Sequence, residues 1–349
     1  MRKRHLGLAA GLLMWAVTLV PANETFRPQA AAQSAPGRIL APANRQLAWL
    51  DLDAPRPRLL TRFDPPAYVT DVTATPAAAT PVIAVTRPLG DGGPLGGDLL
   101  TLDVISGRSA TLAARADPNE SLSAPAWWFD GSALLFERQD WSVVGTGYAG
   151  TATVLHPTRI DMVQPDGSGR TVLVEDGRQP APAPDGSALA FLQTSSEGTA
   201  LVVRTFPDAA DRVLIMAGPF RDLASPRYSP RGDRLAFMAP GTFVGNQAPI
   251  GPMGAWFGVA VAAAHGLPWD VWIIGAVGSG LRRLAEPGAD DATLSWSPDG
   301  SQLFVYGGLG SFIVDAATGE ATPLPSVAGY GSTAWLPDIG ARAVENEPA

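Results

Sequence analysis

The sequence predicts an all-β fold. It is read as a six-bladed β-propeller of four-stranded antiparallel blades, closed by one C-terminal strand plus three N-terminal strands. Three observations carry this. A hairpin motif is written several times along the chain. A second strand pair follows each copy. The two ends of the chain carry the complementary parts of one more unit.

The motif is clearest in "SWSPDGSQLFV", Ser295 to Val305. Ser297-Pro298-Asp299-Gly300 suits a type I turn, with Pro presetting φ at the second position and Gly favoured at the fourth. Leu294 and Trp296 alternate before the turn, and Leu303 and Val305 after it. Period-two alternation around a turn is a β-hairpin. Copies are "PAWWFDGSALLF" (125–136), "PAPAPDGSALAF" (180–191) and "PRYSPRGDRLAF" (226–237). "TATPAAATPVIAV" (73–85) is a degraded copy, and "STAWLPDIG" (332–340) carries the first half only. The turn positions Asp130, Asp185, Arg231, Asp299 and Asp338 lie 55, 46, 68 and 39 residues apart. Four short strands per unit at that spacing make a propeller blade.

Strand pairs joined by polar or Gly turns follow at 97–113, 159–174, 199–216, 270–285 and 311–325, which gives five complete blades. Residues 37–61 hold three strands and lack a first; "STAWLP" supplies it and closes the ring, removing exposed sheet edges. A seven-bladed reading, with each end starting its own blade, is the alternative. Trp127, Tyr228, Trp296 and Trp335 share one place in their repeats. They are expected to pack between blades; an aromatic ring around a ligand channel is the functional alternative.

Composition agrees with many strands and turns. Apolar residues make up 46% of 349, with 38 Gly, 33 Pro and only 17% charged residues. The formal charge is −8, and Lys3 is the single lysine. An acidic body without lysine excludes a lysine Schiff base and argues against nucleic acid. The absence of cysteine excludes disulfides, thiolate nucleophiles and a lipidated N-terminal cysteine.

Arg2, Lys3, Arg4 and His5 precede an apolar run, Leu6 to Val20, followed by small residues. This is the pattern of a secretory signal, residues 1–22, with cleavage alternatively after residue 32. Fifteen apolar residues fall short of the roughly 20 that span a bilayer. An uncleaved anchor is the alternative, so any membrane contact is expected through this segment alone. Export to the periplasm or the extracellular space is expected either way. Loss of residues 1–22 leaves a charge of −11. Residues 23–36 read as a linker, 37–340 as the propeller and 341–349 as a tail.

"PAWWFDGSALLF", "PRYSPRGDRLAF" and "LSWSPDGSQLFV", with the trailing "DGSGRTVL" and "GSGLRRLA", resemble the repeats of TolB-like β-propellers. The resemblance covers roughly residues 37–340. It implies the propeller fold and, from the family's range of roles, binding of other envelope proteins or attachment to serine peptidases. TolB carries an additional N-terminal α/β domain. Here about fifteen residues separate the signal from the first blade, which speaks against a role in the Tol system. No catalytic motif of the family carries over.

No G-x-S-x-G elbow is present, which argues against a serine hydrolase. Gly145–Gly150 and Pro88–Asp98 are Gly-rich but lack the strand-to-helix setting of a phosphate cradle. The distinctive material is three inserted loops, 87–98, 140–158 and 239–268, expected to crowd one face. The longest is apolar, with a short helix expected over Gly254–His265. Phe243, Met253, Trp256, Phe257, His265 and Trp269 are its candidate binding surface; folding over the channel as a plug is the alternative. His156 and His265 each precede an Asp by five residues, Asp161 and Asp270. A metal site or acid–base pair is one reading, and capping of strand starts is the other. Register opposes the site, because aligning the Gly-Ser-Gly turns sets Arg159 opposite Asp270.

The expected function is that of an exported, non-catalytic platform. It would bind an envelope or extracellular protein, or a cell-wall component, through the inserted-loop face. The chain is expected to be a monomer. No cofactor is expected, although the His/Asp spacing leaves a divalent metal open. The alternatives are a metal-dependent or glycan-processing enzyme at the channel mouth, and a small-molecule or sugar-binding sensor.

Overall fold

The computed structural model describes residues 37–52, 57–74, 81–88, 95–147, 150–220, 222–240, 268–324 and 327–337. All lie in the unit Ser34–Ala349. The expected signal segment, the expected helix and most of the longest insertion fall outside them. Blade 1 begins with β1 (Arg38–Ala43), β2 (Gln46–Leu50) and β3 (Arg58–Leu59). Blade 2 is β4 (Tyr68–Thr73), β5 (Val82–Pro88), β6 (Leu95–Leu102) and β7 (Ser109–Ala113). Blade 3 is β8 (Glu120–Trp127), β9 (Leu134–Gly147), β10 (Gly150–Leu155), β11 (Arg159–Val163) and β12 (Thr171–Val174). Blade 4 is β13 (Arg178–Pro182), β14 (Ala188–Ser195), β15 (Gly198–Thr205) and β16 (Ala210–Ile215). Blade 5 is β17 (Ala224–Tyr228), β18 (Arg234–Pro240), β19 (Trp269–Gly275) and β20 (Arg282–Ala289). Blade 6 is β21 (Thr293–Trp296), β22 (Gln302–Gly307), β23 (Gly310–Asp315) and β24 (Ala321–Leu324).

The last strand, β25 (Ala334–Leu336), pairs antiparallel with β1, setting Ile39 opposite Trp335. That pairing decides for six blades over seven, as both chain ends share one sheet.

The core lies between blades. Along the second strand of each blade, alternate residues face different neighbours. Leu134 packs with Val82 and Leu99 of blade 2, whereas Leu135 packs with Leu189 and Phe191 of blade 4. Both faces are buried, so these strands read as continuous apolar runs. The aromatic column does the expected packing. Trp127 joins the core between blades 2 and 3, Trp296 that between 5 and 6, and Trp335 that between 6 and 1. Tyr228 packs against the core between blades 4 and 5.

Four hairpin turns are built alike. In blade 6 the Gly300 N–H donates to Ser297 O (2.9 Å), and Gly300 sits at φ +72°. The Asp299 carboxylate accepts from Ser301 N (3.0 Å) and from the Ser297 hydroxyl (2.7 Å). Gly131, Gly186 and Gly232 make the same turn bond in blades 3 to 5. In blade 5, Arg231 takes the Asp position, and Asp233 instead accepts from the Ser229 hydroxyl (2.6 Å). Each turn also stacks on the next. Pro184 lies against Gly232 and Pro230 against Gly300, while Phe129 covers Gly186 so closely that any Cβ there would overlap its ring.

At the other end of the channel, side chains link the inner strands into a closed circle. Asp71 accepts from Ala124 N of blade 3 (3.4 Å) and from Ser332 N beside β25 (3.0 Å). Glu137 of blade 3 accepts from Gln179 N of blade 4 (3.1 Å). The Gln179 side chain accepts from Ser225 N of blade 5 (2.6 Å), and the Ser225 hydroxyl from Leu294 N of blade 6 (3.0 Å). Thr293 completes the circle by donating to Gly331 O (2.7 Å). Ala124, Gln179 and Ser225 all have φ near +50° at bulges in their strands. The bulge turns each N–H out of its own sheet and toward the neighbouring blade.

Candidate functional site

The connections between the second and third strands of each blade open on one face. Two of the expected loops there are strand hairpins. β5 runs to Pro88 and β6 starts at Leu95, pairing Pro88 with Leu95. β9 runs to Gly147 and pairs with β10, setting Ser142 opposite Val154 and Trp141 opposite Leu155. Here β9 and β10 therefore make a projecting hairpin where a loop was expected. The physical reason is a run of aromatic and β-branched residues (Trp141, Val143, Val154) that satisfies its own backbone groups by pairing.

Charge anchors this hairpin at its base. Glu120, buried at the start of β8, pairs with Arg138 (3.1 Å) and Arg170. Asp161, 1% exposed, pairs with Arg170 (2.9 Å) and Arg138 (3.7 Å). Asp140 pairs with Arg138 (3.1 Å) and Arg159. Three carboxylates thus meet three guanidiniums, and the bidentate reach of arginine suits so crowded a junction. Next to it the His156 N–H donates to Asp140 O (2.9 Å), and its ring Nε2 bonds Ser142 Oγ (2.7 Å).

His156 is exposed, whereas Asp161 is buried and held by arginines. Among the described residues no hydrogen bond or ion pair joins His156 to Asp161. Asp270 is buried and pairs with Arg283 (3.2 Å). Burial raises its carboxyl pKa, and Arg283 pulls it partly back. Phe136 stands opposite Asp161 and its equivalent Phe237 opposite Trp272, so Asp270 corresponds to Arg159 in register. Among the described residues no group of three or more His, Asp or Glu could hold a metal ion. His265, Phe243, Met253, Trp256 and Phe257 lie outside the described residues. Trp269 opens β19, half-buried against the core between blades 5 and 6.

Sequence reading missed the apolar surface of the β9–β10 hairpin. Val143, Val144, Val154 and Leu155 are 48%, 63%, 49% and 68% exposed. The alternation was visible, but only the pairing shows that nothing in the same blade covers these side chains.

The inner strands line a half-open cavity of about 200 Å³ in the channel. Val72, Trp127, Pro182, Tyr228, Trp296 and Trp335 contribute to its wall, one from each blade. The aromatic column therefore packs between blades and lines the channel at once. Burial pushes the Tyr228 hydroxyl up to about 12.

Solved structures share this ring of blades. TolB from Acinetobacter baumannii superposes with a TM-score of 0.60 at 19% identity, covering 86% of this chain and 67% of that one. The fold is a TolB-like propeller. A chain of the Nidogen/Laminin complex matches with a TM-score of 0.55 at 12% identity, covering 85% of this chain and 98% of that one. A TolB candidate from Agrobacterium tumefaciens gives 0.52 at 12% identity, over 83% and 88% of the two chains. At these identities the likeness is one of fold. No family model matches the sequence, and none of the curated proteins does. No helix of the described residues is long and apolar enough to cross a membrane.

Proposed function

We propose that this chain is an exported, non-catalytic propeller that binds an envelope or extracellular protein through its inserted-hairpin face. The observation that carries the reading is the apolar skin of the β9–β10 hairpin, where four large side chains stand about half or more exposed. Exposed apolar side chains clustered on one projecting element mark a contact surface. β10 pairs only with β9 among the described residues, so its outer edge is open to an added strand. The charged groups nearby are spent on one another, and such a balanced network positions a hairpin rather than performing proton transfer. A propeller neighbour seen in the Nidogen/Laminin complex supports a binding role. The basic-then-apolar N-terminus supports export.

The test uses the full chain as bait in an envelope fraction of the source cells. It is compared with a variant carrying Val143→Ser, Val144→Ser, Val154→Ser and Leu155→Ser. The expected result is one partner bound saturably by the parent and at least about tenfold more weakly by the variant. Equal binding by both proteins would remove this face from the function.

A further inference from the structure

Among the described residues the channel cavity has one charged side chain in its wall. Ala334, Asp71, Ala126, Ala181, Arg227 and Ser295 occupy the same register place in the six inner strands, each beside the column that carries the tryptophans. Four of the six are Ala or Ser. Asp71 is drawn into the hydrogen-bonded circle, where both of its oxygens take backbone N–H donors. Arg227 remains. It lines the cavity together with Ser295, Thr333 and the tryptophans.

Arg227 is poorly compensated. Among the described residues no carboxylate lies in ion-pair range of it, and its one side-chain hydrogen bond goes to Pro226 O (2.8 Å). Enclosure lowers its guanidinium pKa, while the more distant Asp71 pulls it partly back. Arg227 is half-buried, and a single carbonyl uses only one of the five donors on its planar fork. Trp127 and Trp335 also line this wall, but their indole Nε1–H groups are buried in the packing and have no acceptor among the described residues, whereas that of Trp296 donates to Arg227 O (3.1 Å). The rest of the wall sets Trp335, Tyr228, Pro125 and Pro180 beside Thr73, Ser295 and Thr333. A void of roughly 150 Å³ suffices for a benzene ring, and this one is about 200 Å³.

We propose that the channel cavity is a binding site for a small organic carboxylate, with Arg227 forking onto the carboxylate and the aromatic and proline wall holding a flat apolar body. This proposal is independent of the hairpin face. Arginine matches a carboxylate in bidentate geometry, and its partial burial strengthens the pair over one in open water. Binding would give the guanidinium fork a partner beyond the Pro226 carbonyl.

Calorimetric titration of the full chain with benzoate, benzamide and inorganic phosphate tests it, with tryptophan fluorescence as a second readout. Benzoate should bind saturably and shift the fluorescence, because three tryptophans line the cavity. Benzamide, of the same shape without charge, should bind at least about tenfold more weakly. Arg227→Gln should lose benzoate to the same degree, and Arg231→Gln, in an exposed turn, should leave it unchanged. The benzoate–benzamide comparison needs no variant and so stands if Arg227→Gln folds poorly. Equal binding of benzoate and benzamide, or no saturable binding of either, would overturn the proposal. Displacement of benzoate by phosphate at equal concentration would overturn the carboxylate class.

Discussion

The two faces of the disc obey different rules. On the hairpin-turn face, four turns repeat one design, and each leans on the next through Phe129 on Gly186, Pro184 on Gly232 and Pro230 on Gly300. On the opposite face the blades differ: the β5–β6 and β9–β10 hairpins project, while β22 and β23 are joined by a short turn that pairs Gly307 with Gly310. The contrast teaches where variation is cheap. A turn wedged against its neighbour is held by two blades, so a change in one strains both. A hairpin that satisfies its own backbone groups can lengthen without disturbing the ring.

The comparison is broken most severely from within the shared core. Trp296 fills the space between blades 5 and 6, donates to Arg227 O and lies beneath the Arg234 guanidinium. Trp296→Ala is expected to cost about 3–5 kcal/mol, read as a shift of the denaturant midpoint. The four serine substitutions on the hairpin should change stability by no more than about 0.5 kcal/mol each. A small loss for the tryptophan or a large one for the hairpin would reverse the roles given to the two regions.

A sharper probe is one turn contact. Gly186→Ala places a methyl into the Phe129 ring and puts a side chain at φ +73°. The expected loss is roughly 2–4 kcal/mol. In a double-mutant cycle, Phe129→Ala should relieve the overlap and leave the backbone strain of about 1 kcal/mol. Additive losses would show that the stacking between turns contributes nothing.

The smallest effect separates the faces by pH. Ser132 and Ser187 hold the Asp130 and Asp185 carboxyls below their ordinary 3.8 through side-chain and backbone donors, and the Ser301 N–H does the same for Asp299. A depressed acid contributes stability above its unfolded pKa and loses it as pH falls through the folded one. Glu137, in the circle at the other end, is raised above 4.5 by burial. Its contribution is present below that value and is lost as pH rises through the folded pKa. Thermal midpoints measured against pH should therefore show an acid decline that Asp130→Asn, Asp185→Asn and Asp299→Asn flatten together. Glu137→Gln should instead flatten the decline on the less acidic side. An unchanged acid limb in the triple variant would remove these turns from the pH response.

The sequence by itself determined the blades. Turn chemistry such as Ser297-Pro298-Asp299-Gly300 is local, and period-two alternation survives in any context, so strand pairs and the shared first blade were legible residue by residue. The tertiary structure alone decided which residues meet across blades. Nothing local to Asp71, Glu137, Gln179 and Ser225 links them, yet the closed ring sets them in one circle. The same closure left Arg227 as the charged side chain in the channel wall and committed Asp161 and Asp270 to arginines. The inserted segments read as loops because local alternation cannot state a partner. Pairing at Ser142 and Val154 made a hairpin of one, and only the tertiary structure shows its valines standing about half or more exposed.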